Sequence, residues 1–295
     1  MGGAPRGVRR SGDAVRRVMR ALYGRLSGSG ARSAMVRASI RLHAERRPAL
    51  MAGAPPGRRI LVLAPHMDDE VLGCGGTLRK HALAGASITV AYLTDGRRGD
   101  PTLNEARLPA AEKRAREDRL VARRKEEARR AAAILGIRDL VFLDRPDGAL
   151  TTNEELRGSI RELLRSGGPD LVYLPFLTDR HRDHWEANRA LMEAARGGAG
   201  RAPEFRCCGY EIWSPLVANC LVDISEVVED KRRAIAQFES QLEHADYLGG
   251  ILHLNAYRAL AHLRGKGHAE AFFLAPFRDY ERLYREMIDE NPPHP

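Results

Sequence analysis

Two short segments concentrate the residues that could do chemistry. Pro65-His66-Met67-Asp68-Asp69-Glu70 sets an imidazole beside three carboxylates, and Thr178-Asp179-Arg180-His181-Arg182-Asp183-His184 sets two imidazoles beside two carboxylates. Imidazole and carboxylate donors suit zinc, and three protein ligands plus a water make a catalytic site. Either segment alone could be a solvated turn, because Asp68, Asp69 and Glu70 also suit a helix N-terminus electrostatically. The pair of them, each directly after a predicted strand, points to one metal-dependent hydrolytic site.

The elements that must position these segments read as an α/β chain. Ile60–Ala64, Ile88–Thr94, Leu140–Leu143 and Leu171–Pro175 are apolar runs expected of strands buried on both faces. Between them the spacing predicts helices over Val71–Gly85, over a long charged stretch ending at Leu135-Gly136, over Asn153–Arg165 with Asn153 as N-cap, and over His184–Arg196. Such alternation implies βαβ units and a Rossmann-like, mostly parallel sheet flanked by helices. Ligands bind beyond the carboxyl ends of such strands, so both polar segments arrive at one sheet edge. Tyr210–Trp213 and Cys220–Asp223 read as later strands, and Ser225–Gln241 and Ile251–Arg264 as helices.

Charge divides the chain. Residues 1–59 hold 14 Arg, no Lys and two acids, a net +12, so the rest of the chain carries −3 of the total +9. Residues 1–58 therefore read as a basic extension and linker, 59–285 as the catalytic domain and 286–295 as a tail. Within the extension, Val15, Val18, Met19, Leu22, Tyr23 and Leu26 recur at helical spacing among arginines, which suits either a solvated tail or weak contact with an anionic membrane surface or a protein. No apolar run follows Arg9-Arg10, so no secretory leader is expected. The mildly acidic body, with 6% aromatics, argues against nucleic acid as a partner. Cys74, Cys207, Cys208 and Cys220 lack metal-site spacing, which suits a reducing cytoplasm.

The sequence resembles the PIG-L/LmbE-like de-N-acetylases over roughly residues 58–280. Ala64 to Glu70 is similar to the family's AHPDDE signature, with Met67 in place of proline, and His181-Arg182-Asp183-His184 matches its HxDH motif. Gly75-Gly76-Thr77, Thr94-Asp95-Gly96, Arg124 with Glu127, Val222-Asp223-Ile224-Ser225, Lys231 and Ser240-Gln241 add support.

The resemblance implies that His66, Asp69 and His184 hold one Zn²⁺ per chain, another divalent transition metal being the alternative. It makes Asp68 the general base, and His181 the acid or oxyanion-stabilising group, with Asp183 orienting His181 and raising its pKa. Arg124 becomes a substrate-binding candidate; Asp95, by its place at the end of the second strand on the same edge, is another, or it caps the turn with Gly96. The reaction implied is hydrolysis of the N-acetyl amide of an N-acetylglucosamine-type conjugate, a small-molecule amino sugar. Rival readings are a thiol-conjugate amidase or other metal amidohydrolase, and a metal-inactive binding protein on the same fold. The charged stretch from Arg97 to Asp118 reads as a lid or a surface excursion.

Overall fold

The computed structural model describes residues 48–105, 108–196, 204–260 and 262–286. The helix expected around Val15–Leu26 and the tail beyond 286 lie outside the described residues. The strands are β1 (Ala49–Met51), β2 (Arg59–Ala64), β3 (Ser87–Thr94), β4 (Asp139–Arg145), β5 (Leu171–Pro175), β6 (Arg206–Tyr210), β7 (Cys220–Asp223) and β8 (Ala269–Pro276). They form one sheet in the order β1-β7-β8-β6-β5-β2-β3-β4. All pairings are parallel except those of β8, which lies antiparallel between β6 and β7.

The chain winds outward from β2 through β3 to β4, then returns to place β5 on the other side of β2. The crevice beyond β2 and β5 is therefore a topological switch point, where open α/β sheets bind ligands. The helices α1 (Asp69–Leu83), α2 (Pro101–Glu105), α3 (Ala110–Leu135), α4 (Glu154–Gly167) and α5 (Arg182–Arg196) precede β6. After β7 come α6 (Val228–Ile235), α7 (Glu239–Leu242) and α8 (Tyr247–Ala259), and α9 (Phe277–Tyr284) follows β8.

Strand β2 shows why the apolar runs are continuous. Ile60, Val62 and Ala64 pack under α1 and α3, while Leu61 and Leu63 pack on the other face with α4, α5 and α9. Helix α1 lies close to its neighbours because it carries glycines where a side chain would collide. A Cβ on Gly73 would overlap the Tyr210 ring, and one on Gly76 would come within 2.8 Å of Ile224. A buried ion pair is set against the same stretch. Lys231 Nζ donates to Glu270 Oε1 (2.6 Å) and to the Leu72 carbonyl (2.9 Å), and Glu270 accepts the amides of Gly76 and Thr77.

Several expectations need correction. Ala49–Met51 pairs with β7, so this part of the stretch read as extension and linker contributes an edge strand. The strand expected at Tyr210–Trp213 is instead Arg206–Tyr210, because its register with β5 ends at Pro175 opposite Tyr210. The helix expected over Ser225–Gln241 is a short 3-10 turn followed by α6 and α7. The break lets Ser240 present its N–H and hydroxyl to Glu127. The helix expected at Ile251–Arg264 starts earlier, at Tyr247, where Asp246 caps it by accepting the Gly249 N–H, and ends at Ala259. The charged stretch 97–118 holds α2 and the first turns of α3. Among the described residues no helix is long and apolar enough to cross a membrane.

Candidate active site

The loop leaving β2 is held in an unusual shape. Asp68 has φ 147° and ψ −27°, in a region that costs a non-glycine residue about 1–3 kcal/mol. Thr94, at the end of β3, donates its N–H (2.9 Å) and hydroxyl (2.8 Å) to the Pro65 carbonyl. Arg124, on α3, donates Nη2 to the Met67 carbonyl (2.8 Å) and Nη1 to the Gly96 carbonyl (3.1 Å). Met67 is fully buried, and its methyl group lies against the Gly96 turn.

This loop brings its histidine and carboxylate to the first turn of α5. His66 Nδ1 lies 3.1 Å from Asp69 Oδ2, which lies 3.2 Å from His184 Nε2, which in turn lies 3.4 Å from His66 Nδ1. Ligands about 2.0–2.1 Å from a tetrahedral zinc stand roughly 3.3 Å apart. The triangle thus has the dimensions of three corners of such a site. Asp69 Oδ2 is aimed by the His66 N–H, which it accepts at 2.8 Å.

The outer nitrogens are backed by carboxylates. His66 Nε2 lies 3.2 Å from Asp183 Oδ2 and 3.3 Å from Asp147 Oδ1. His184 Nδ1 lies 3.3 Å from Asp179 Oδ1, within ion-pair range but without hydrogen-bond alignment. Such partners orient ligand imidazoles and raise their basicity. His66, Asp147 and Asp183 also offer donor atoms within 4.8 Å of one another, as do His66, His181 and His184. Asp183 already accepts the amides of Gly148 (2.7 Å) and Leu150 (3.1 Å), so on that side the carboxylates brace the ring.

The charge states follow from this crowding. Burial pulls the His66 imidazolium down, but Asp69, Asp147 and Asp183 outweigh it and hold it well above its ordinary value. His184 is pulled down by burial and lifted by Asp69 and Asp179, reaching about 9. Burial would raise Asp69, yet His184 and His66 hold it well below the carboxylate range. Asp147 is likewise drawn down to about 2, burial being outweighed by His66. Burial lifts Asp68 to about 7, against the opposing pull of Arg124. Glu70, buried behind the loop, is lifted by burial to about 8 while accepting the Tyr92 hydroxyl at 2.6 Å.

The sequence-predicted residues do not all occupy their expected places. His181 stands at the cavity, its ring centroid 4.6 Å from that of His66 and 5.0 Å from that of His184. Its pKa is lowered, by burial first and then by His66 and His184, and not raised as expected. Asp183 does not orient it through its carboxylate, which faces His66; instead the Asp183 main-chain N–H donates to His181 Nδ1 at 3.2 Å. Arg124 is buried, clamping the two loops and lying 3.3 Å from Asp68 Oδ2. Asp95 turns to Arg97, accepting its Nε–H at 2.6 Å, and is not among the cavity-lining residues.

A cavity of about 400 Å³ opens on His66, Asp68, Asp69 and His181, walled by Arg98, Asp147, Trp213, Gln241 and Tyr247. Asp147 is a member that sequence reasoning missed. It follows β4 in a Pro-Asp-Gly turn, and only its place after a third parallel strand marked it. A larger hollow of about 680 Å³ lies at the opposite sheet edge, but its Arg59, Arg161 and Arg165 are paired with Asp170, Glu154 and Glu162.

Comparison with known proteins places the chain among deacetylase-like sequences. The family model described as GlcNAc-PI de-N-acetylase, PIG-L, matches residues 61–195. The chain is 32% identical over 200 residues to diacetylchitobiose deacetylase of Thermococcus kodakarensis, covering 62% of this chain and 70% of that protein. It is 32% identical over 174 residues to 1D-myo-inositol 2-acetamido-2-deoxy-alpha-D-glucopyranoside deacetylase 2 of Catenulispora acidiphila, covering 51% of this chain and 56% of that one. Among solved structures, the conserved protein TT1542 of Thermus thermophilus superposes with a TM-score of 0.60 at 29% identity, over 72% of this chain and 93% of its own.

Proposed function

The chain belongs to the PIG-L family of GlcNAc-PI de-N-acetylases, and from that membership we propose that it is a zinc-dependent hydrolase removing the acetyl group from an N-acetylglucosamine-type conjugate. The observation that carries this reading is the donor triangle of His66, Asp69 and His184, of which His66 and Asp69 line the cavity together with Asp68. Its chemistry fits a divalent cation: two imidazoles and one carboxylate, with further carboxylates behind them. A cation bound there supplies Lewis acidity, polarising the amide carbonyl and acidifying a water.

The remaining steps belong to the chain's own residues. Asp68 accepts the proton of the attacking water and returns it to the departing amine. His181 accepts a main-chain N–H at Nδ1, so its own proton sits on Nε2. As a neutral imidazole it donates that N–H to the carbonyl oxygen as negative charge develops there. Arg124 holds Asp68 in reach through the Met67 carbonyl and the carboxylate itself. The products are acetate and the free amino sugar. Four unpaired, buried cysteines suit the cytoplasm as its compartment.

The test is acetate release from a panel of N-acetylglucosamine conjugates, with and without chelation, alongside metal analysis. The reading requires acetate from at least one conjugate, loss on chelation and recovery with zinc. No acetate from the panel, with hydrolysis instead of an amide joining a thiol-conjugated acyl group to an amino sugar, would make the chain a thiol-conjugate amidase. Full activity in metal-free protein would overturn the metal assignment.

A further inference from the structure

The cavity wall holds one side chain the proposed hydrolysis does not use. Trp213 lines the cavity and is 51% exposed, among neighbours that are mostly charged or polar. Burial is what normally stabilises so large a ring, yet about half of this indole is left to solvent.

Its position is nonetheless fixed. The indole packs edge-to-face on Tyr247, with ring centroids 5.8 Å apart and an interplanar angle of 76°. Its main-chain N–H donates to Asp179 Oδ2 at 3.2 Å, and Asp179 Oδ1 accepts the His181 N–H at 3.0 Å. One buried carboxylate therefore ties the loop that carries Trp213 to the loop that carries His181. The platform is registered against the reacting centre, not draped over it. The Gln241 carboxamide lines the same cavity, its Nε2 donating to Ser240 Oγ at 3.1 Å.

We propose that Trp213, braced by Tyr247, is a stacking platform for the group attached to the reacting amino sugar, and that this group is a saturated six-membered ring bearing hydroxyls, a hexose or a cyclitol. This rests on the deacetylase reading above. Trp213 lines the same cavity as His66, Asp68, Asp69 and His181, so a group attached to the reacting amino sugar can lie against it. A hydroxylated ring has an apolar C–H face and a polar edge. Its face matches an indole, and its edge matches an amide such as that of Gln241. An acyclic carboxylate gains nothing from the indole.

The experiment compares wild type, Trp213→Ala and Trp213→Phe on N,N'-diacetylchitobiose, N-acetylglucosaminyl inositol and N-acetylglucosaminyl malate. The expected result is that Trp213→Ala lowers the ratio of kcat/KM on the preferred ring-bearing conjugate to that on the malate by about tenfold, mainly through KM, and that Trp213→Phe recovers most of it. The first two conjugates distinguish a hexose from a cyclitol. An equal loss on all three, or none, overturns the platform. Binding is also read without turnover. The chain has two tryptophans, Trp185 and Trp213, so each ring-bearing conjugate, titrated into chelated protein, should change the emission of wild type but not of Trp213→Phe. Emission changes with no acetate release from any conjugate would overturn the deacetylase reading and leave the platform standing. Acetate release with neither a ring-dependent effect nor an emission change overturns the platform alone.

Discussion

The guanidinium of Arg124 lies 3.3 Å from the carboxylate of Asp68 and 2.8 Å from the carbonyl of the residue before it. One side chain thus restrains both the strained backbone and the charge of the proposed base. Arg124→Gln should reduce kcat by about 10- to 100-fold, the usual cost of losing such a supporting partner. Burial raises the Asp68 pKa and Arg124 opposes that rise. Removing Arg124 should therefore move the acid limb of the pH–kcat profile to higher pH. An unshifted limb would separate Arg124 from the titration of Asp68.

Asp68→Asn keeps the size of the side chain and removes its basicity. The expected outcome is a loss in kcat of about 100-fold or more with zinc still bound. Near-normal turnover, measured by acetate release, would transfer the proton to another carboxylate, Glu70 being the nearest in sequence outside the donor triangle.

His184→Ala deletes one corner of the donor triangle. Metal stoichiometry on folded protein should fall far below one per chain, and activity with it. Because His66 and His184 both hold protons above their ordinary pKa, zinc must displace them. The affinity of the wild type should therefore weaken as pH is lowered through about 9 and below, read from competition with a chelator at several pH values.

Glu270→Gln leaves the Lys231 cation buried without its partner. Both side chains are fully buried and 2.6 Å apart, so the single substitution should cost about 3–5 kcal/mol in denaturant unfolding. The double substitution with Lys231→Met should cost less than the single one. Equal losses would mean the pair acts only by packing.

His81 gives a pH dependence away from the metal site. Buried beside the Tyr173 hydroxyl at 2.9 Å, it is pushed down by burial to about 4. The unfolded chain protonates this residue near 6.5. Between those values the unfolded state binds the extra proton, so stability falls as pH falls, by at most roughly 1.4 kcal/mol per pH unit from this residue. His81→Gln should flatten the stability curve between pH 6.5 and 4, measured by urea titration.

Much of this architecture was legible in the sequence. The bounds of β5 and β7 agree with their apolar runs, Asn153 caps α4 as expected by accepting the Leu156 N–H, and both polar segments arrive at one edge. What escaped was decided by distant partners. Strand β8 contains Glu270, which interrupts the apolar pattern and is satisfied by Lys231, 39 positions away, and by the amides of Gly76 and Thr77, farther still. Three-residue β1 is too short to show a period. The orientation of Asp183 depends on the Gly148 and Leu150 amides, which no local pattern places beside it. Met67, where the family signature has proline, is compensated in the same way: Thr94 and Arg124 pin the carbonyls on either side of His66.

The antiparallel insertion of β8 orders events during synthesis. Strand β7 pairs only with β1 and β8, so the first strand in the chain has no settled neighbour until residues 269–276 have emerged. Strands β2 to β6 need nothing later than Tyr210 to pair with one another, and His66, Asp69 and His184 all precede that point. The nascent chain can thus assemble its donor triangle before residues 269–276 have emerged. Closing the far edge, by contrast, is a long-range step that waits for the carboxyl end.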